Sequence, residues 1–245
     1  MRLLATTAAL AFTATGAFAA DVTYDFNGVQ HTGYYAAGEG EVSGLVLIVP
    51  DWDGVDDFET GRADELAGMG YDAFVVDMYG ADTPAGTVEE NRAATSELSE
   101  DRDKMHEILL AGIEAAQGQS DAQNLVVMGY CFGGGVVLEM ARSGFAAQAA
   151  GYTVFHGTLA TPEEQSYDGD EPPIQILHGA ADESQTMETL FALARELEEA
   201  GNTFTVELYS GAPHAFTVEG SDRYQERAAE ESWEAFTDFL GERLG

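Results

Sequence analysis

Cations are nearly missing from this chain. Ten Lys and Arg face 44 Asp and Glu, and Lys104 is the single lysine. The resulting formal charge of −34 repels nucleic-acid phosphates and anionic lipid headgroups, so neither nucleic acid nor a membrane surface is an expected partner. Cysteine is just as scarce. Cys131 stands alone, which rules out an intramolecular disulfide, and a lone thiol in an oxidising compartment is either buried and inert or held for its chemistry. The acids are spread along the whole chain rather than gathered in a tail, which describes a solvated coat. A Debye length of about 3 Å near 1 M salt screens the self-repulsion of such a coat, so the expectation is a halophilic source, with an ordinary acidic secreted protein as the alternative.

What is present points to a folded globular unit. At 245 residues, 45% hydrophobic and 22% charged, the chain can bury a sizeable core in one domain. The N-terminus reads as a leader. Arg2 precedes an uncharged stretch from Leu3 to Phe18, and Ala17-Phe18-Ala19 puts small residues where a signal peptidase reads. Asp21 ends the run before it could span a bilayer. The expectation is cleavage after Ala19, leaving residues 20–245 as one domain, periplasmic or secreted and free of the membrane.

Apolar β-branched runs alternate with helical-period stretches, the pattern of an α/β fold whose mostly parallel central sheet carries helices on both faces. Val22 to Phe26 and His31 to Ala37 read as a hairpin around Asn27-Gly28. Gly44–Pro50, Asp72–Met78, Asn124–Met128, Ala149–Phe155, Ile174–Leu177 and Phe204–Tyr209 read as further strands. Helices are expected over Phe58–Met69, over one long acidic stretch from Val88 to Gln117, and over Phe132–Arg142, Thr186–Glu199 and Arg223–Leu244. Thr161 to Pro173 reads as a surface excursion.

The strongest local signal is Gly129-Tyr130-Cys131-Phe132-Gly133, between a buried strand and a helix. It is the nucleophile-elbow pattern G-x-S-x-G with cysteine in place of serine. The elbow needs small flanking residues because strand and helix approach closely around a strained turn. At a helix N-terminus the Cys131 thiolate is expected to be favoured by the helix dipole. In the chain order of this pattern, an acid and then a histidine follow, each in a loop after a late strand. Asp182 follows Ile174–Leu177, and His214 follows Phe204–Tyr209. Cys131 as nucleophile, His214 as base and Asp182 as the carboxylate that orients it fill the three roles.

With those residues in view, the chain resembles the dienelactone hydrolase family, cysteine-nucleophile members of the α/β-hydrolase fold. The resemblance rests on Ile48-Val49-Pro50-Asp51-Trp52-Asp53-Gly54, Asp77-Met78-Tyr79-Gly80, the elbow through Gly134, His178-Gly179-Ala180-Ala181-Asp182 and Ala212-Pro213-His214-Ala215-Phe216. It implies opening of a lactone or ester by acyl transfer to the cysteine, with the backbone N–H groups of Phe132 and Trp52 as oxyanion donors. Family members can carry a glutamate that holds the resting thiol. Asp51 stands at that point, one methylene shorter, and is a candidate thiol partner. The dienelactone-cleaving archetype also clamps its substrate carboxylate with two arginines. Here the corresponding loops read Gly80-Ala81-Asp82 and Thr217-Val218-Glu219, so a neutral small ester or lactone is the expected substrate.

Other chemistry is poorly supported. His31, His106 and His156 lack metal-ligand spacing, and Asp51, Asp53, Asp56 and Asp57 complete no calcium loop, so no metal site is expected. Gly133 to Gly135 lack dinucleotide-binding spacing, and no cofactor is expected. His178 reads as a hydrogen-bonded structural residue. Two functions of another class remain open: a non-catalytic binding or scaffold protein that keeps the fold, and a thiol redox protein without a resolving cysteine. The oligomeric state is not legible.

Overall fold

The computed structural model describes residues 18–146 and 149–245, so the expected leader lies almost wholly outside the described residues. Ala19 already opens the first strand. β1 (Ala19–Phe26) and β2 (Val29–Ala36) form the expected antiparallel hairpin. Asn27 and Gly28 both have positive φ, at 52° and 83°, the backbone a two-residue turn needs to match strand twist. The remaining strands are β3 (Leu45–Val49), β4 (Asp72–Val75), β5 (Leu125–Tyr130), β6 (Ala149–Phe155), β7 (Ile174–Gly179) and β8 (Phe204–Tyr209). Together they make one eight-stranded sheet in the order β1-β2-β4-β3-β5-β6-β7-β8, parallel from β4 to β8.

The period-two geometry of a strand divides the core in two. Leu45, Leu47 and Val49 of β3 pack with α3 (Arg102–Gln117), α4 (Phe132–Ser143) and α5 (Met187–Ala200), while Val46 and Ile48 pack with α1 (Asp57–Gly68) and α6 (Glu226–Leu244). A continuous apolar run is therefore what a doubly covered strand requires.

The helix expected from Arg223 begins at Glu226, where the Gln225 side chain caps it by accepting from Ala228 N–H at 3.0 Å. Two further expected elements differ. The stretch from Val88 to Gln117 is two helices, α2 (Val88–Glu100) and α3, because Asp101 leaves helical geometry and its carboxylate caps α3 by accepting from the Lys104 N–H at 3.1 Å. The strand expected to reach Met78 stops at Val75. Just beyond it, the Asp77 carboxylate accepts from the backbone N–H groups of Thr32, Tyr79 and Gly80, which turns the chain away from the sheet. No helix among the described residues is long and apolar enough to cross a membrane.

Candidate active site

The C-terminal ends of the parallel strands converge on one edge of the sheet, where ligands bind in open α/β folds. β5 delivers Cys131 at φ 48°, ψ −110°, a strained backbone for a residue with a Cβ. Glycine makes that turn fit. A Cβ on Gly129 would collide with the Gly133 carbonyl, and one on Gly133 with the carbonyls of Val49 and Pro50. The turn is pinned to the end of β6: Cys131 N–H donates to the Phe155 carbonyl, and the Cys131 carbonyl accepts from Thr158 N–H, both at 3.1 Å.

β7 and β8 deliver the other two residues through interlocked loops. Ala180 N–H donates to the Tyr209 carbonyl and Ala181 N–H to the Ala212 carbonyl. His214 then lies with Nδ1 2.7 Å from Asp182 Oδ2 and Nε2 3.0 Å from Cys131 Sγ. With Nδ1–H donating to the carboxylate, Nε2 is left to accept the thiol proton. Burial alone would raise the Asp182 pKa. Hydrogen bonds from His214, Gln185 N–H and Ser184 outweigh it and hold the carboxyl well below the usual range.

The thiol behaves otherwise than its helix position suggests. Burial pushes Cys131 up to about 12, the charge of Asp51 adds to this, and the Phe132 N–H only partly opposes it. Desolvation and nearby carboxylates outweigh the helix N-terminus, so the resting pair is a neutral thiol hydrogen-bonded to a histidine.

Asp51 is near enough to act on the thiol through its charge, yet no hydrogen bond joins the two among the described residues. Its Oδ1 instead accepts from Asp53 N–H at 3.2 Å. Burial and the neighbouring Asp53 raise its pKa to about 8. Beside it lies Glu59, 1% exposed, whose carboxyl accepts from the backbone N–H of Asp51 and of Asp56 and closes the capping box of α1. Burial and Asp56 raise Glu59 as well. The sequence reading missed Glu59, whose only sequence signal is the Asp-x-x-Glu spacing from Asp56.

Trp52 and Phe132 line, with Cys131, a cleft of about 450 Å³. No oxygen among the described residues accepts from either backbone N–H, and the Phe132 N–H faces the Cys131 sulfur. The peptide that follows Trp52 is anchored, since Tyr79 O–H donates to the Trp52 carbonyl at 2.8 Å. Arg92 and Glu100 of α2 also line this cleft. Arg62 and Arg142 are engaged elsewhere, Arg62 over the Trp233 ring at 4.5 Å and Arg142 on Glu139, Gln165 and Tyr167.

His178 corrects an expectation. It is fully buried, and neither ring nitrogen has a hydrogen-bond partner among the described residues. Burial lowers its pKa. No cluster of described residues could hold a metal ion.

A family model described as the dienelactone hydrolase family matches residues 32–244. A candidate carboxymethylenebutenolidase of Saccharolobus solfataricus is 24% identical, over 90% of this chain and 97% of its own. Among solved structures, a dienelactone hydrolase-like promiscuous phosphotriesterase from metagenomic libraries superposes with TM-score 0.82 at 25% identity, covering 94% of this chain and 99% of that one. A dienelactone hydrolase candidate of Klebsiella pneumoniae subsp. pneumoniae shares the fold at TM-score 0.76 and 20% identity, over 93% and 99% of the two chains.

Proposed function

The chain belongs to the dienelactone hydrolase family, a hydrolase of ester or lactone type, and from that premise we propose that it cleaves its substrate by acyl transfer to Cys131. The observation that carries this reading is the unbroken chain from Sγ to Nε2 at 3.0 Å and from Nδ1 to the Asp182 carboxylate at 2.7 Å. Because the thiol is neutral at rest, its proton passes to His214 Nε2 as Sγ attacks the carbonyl carbon. Negative charge then gathers on the carbonyl oxygen, where the Trp52 and Phe132 amides supply two donors. Collapse breaks the C–O bond, and the leaving oxygen takes the proton from His214. Water attacks the thioester with His214 as base, releasing the acid and restoring the thiol. Asp182 stabilises the imidazolium in both halves.

A neutral small ester or lactone suits the cleft best. The loops that hold the archetype's arginines carry Asp82 and Glu219 instead, and Arg92, the one arginine among the described residues that line the cleft, shares its wall with Glu100. We also propose export, on the strength of the Ala17-Phe18-Ala19 pattern, and a salt-rich setting, on the strength of the acidic coat.

The test is a panel of neutral p-nitrophenyl esters and small lactones against wild type and Cys131→Ala. Turnover by the wild type that vanishes in a folded Cys131→Ala protein is the expected result. Turnover that survives the substitution would discard the mechanism.

A further inference from the structure

The short loop after β6 touches both partners of the thiol–imidazole pair. The Phe155 carbonyl at the end of β6 and the loop's Thr158 N–H bracket Cys131. Between them, the His156 ring meets the His214 ring edge-to-face, with centroids 5.3 Å apart and planes at 68°. We propose that His156 is a positioning residue for the acyl-transfer reaction, holding the His214 imidazole in line with Cys131 Sγ; this rests on the mechanism proposed above.

Three observations make His156 more than filler. It is fully buried, yet its Nε2 lies 2.8 Å from the equally buried Thr217 Oγ1, which fixes the ring's orientation. Its backbone sits at φ 39°, strained for a non-glycine residue, so the surroundings impose its place. Its Nδ1 has no partner among the described residues, a cost that phenylalanine would avoid in the same cluster with Tyr130 and Phe216. An apolar ring would pack here with less penalty. What it would lack is the Thr217 bond that sets the angle at which His214 is met.

The ring also stays out of the proton chemistry. Burial, and then the neighbouring His214, lower the His156 pKa well below its ordinary value. It therefore adds no positive charge against the imidazolium that forms on His214. The titratable groups around it are Tyr130 on β5, His178 on β7, and Asp182 and His214 in the loops beyond β7 and β8.

The test compares wild type with His156→Phe, which keeps an aromatic ring, Thr217→Val, which removes only the hydrogen bond, and His156→Asn, which restores a side-chain donor. Measured for each are kcat and KM on a neutral ester, the rate of Cys131 alkylation by iodoacetamide from pH 6 to 9, and thermal unfolding. His156→Phe should lower kcat roughly tenfold to a hundredfold, since small misplacements of a catalytic group cost about this much, with KM little changed. Its alkylation profile should move to higher pH. Thr217→Val should shift both readouts the same way by less, and His156→Asn should recover part of the loss. A folded His156→Phe protein with wild-type kcat and alkylation overturns the proposal. If that variant does not fold, wild-type behaviour of Thr217→Val does the same. Failure of the underlying mechanism would show differently, as ester turnover that survives Cys131→Ala whatever alkylation reports.

Discussion

Two carboxylates flank Cys131, and both are buried: Asp182 is 6% exposed and Asp51 8%. Their charge states nevertheless diverge. Asp182 accepts from Ser184 N–H and O–H, Gln185 N–H and His214, four donors on two oxygens. Asp51 accepts one N–H, from Asp53, and its other neighbours include the acids Asp53, Asp56 and Glu59. Burial alone would protonate both. Donors keep the first ionised, and their scarcity lets the second hold its proton to about pH 8. One side of the cysteine thus carries a carboxylate that stays ionised against the His214 ring, and the other a carboxyl that is silent at neutral pH.

The sharpest way to break this comparison is to remove the charge that matters. Asp182→Asn keeps the shape but loses the carboxylate that selects the His214 tautomer. Its kcat/KM on a good ester should fall by on the order of a thousandfold or more. His214→Ala should cost at least as much, because in the proposed mechanism the base acts directly. Steady-state kinetics on both folded variants decides the matter, and a mild effect at Asp182 would mean that its charge does not support the base. Acid titration gives a second readout. A carboxyl held below its unfolded pKa stabilises the fold above about pH 4 and loses that contribution as pH falls. Wild type should therefore lose stability on acidification more steeply than Asp182→Asn.

The Asp182 side was readable in the sequence because its signals are local. Glycines flank the elbow, and acid and histidine each follow a strand whose apolar run marks its end. The Asp51 side was not, because its state depends first on burial, which tertiary packing sets, and on a missing donor that no spacing reveals. His156 escaped for the same reason: its partner Thr217 lies 61 residues away. The break between α2 and α3 was hidden for another reason: Asp101 lies in the charged run Glu100-Asp101-Arg102-Asp103-Lys104, which reads as a solvated helical face and masks the cap preference of one aspartate. Arg92 sits on α2 and reaches the cleft wall only through packing, so the sequence placed no cation near the cysteine.

A substrate charge probes both sides of the cysteine at once. Adding a carboxylate to an otherwise good ester should raise KM roughly tenfold to a hundredfold, since a lost charge-assisted contact is worth about 1.5–3 kcal/mol. Molar salt should shrink the penalty by screening the long-range field but not abolish it, because absent clamp contacts are indifferent to salt. Comparing KM for a matched neutral and anionic pair in low and molar salt measures this. A preference for the anion at every salt concentration would show that Arg92 outweighs Glu100 and the acidic coat, and Arg92→Ala would then remove that preference.

The smallest effect belongs to Asp51, and it should switch on with pH. An unfolded aspartate ionises near pH 4, whereas the buried one holds its proton to about 8. Between those values the folded state binds the extra proton, so wild-type stability falls as pH rises through this window and then levels. Asp51→Asn removes that slope. Its melting temperature should match wild type near pH 4 and exceed it increasingly toward pH 8. The thiol should report the same switch. Below pH 8 a protonated Asp51 exerts no charge on Cys131, and the two proteins should alkylate alike. Above it, the Asp51 charge raises the thiol pKa, so Asp51→Asn should react several-fold faster. Parallel alkylation profiles across the whole range would mean that Asp51 is ionised throughout or too well screened to act on Cys131, and the contrast with Asp182 would disappear.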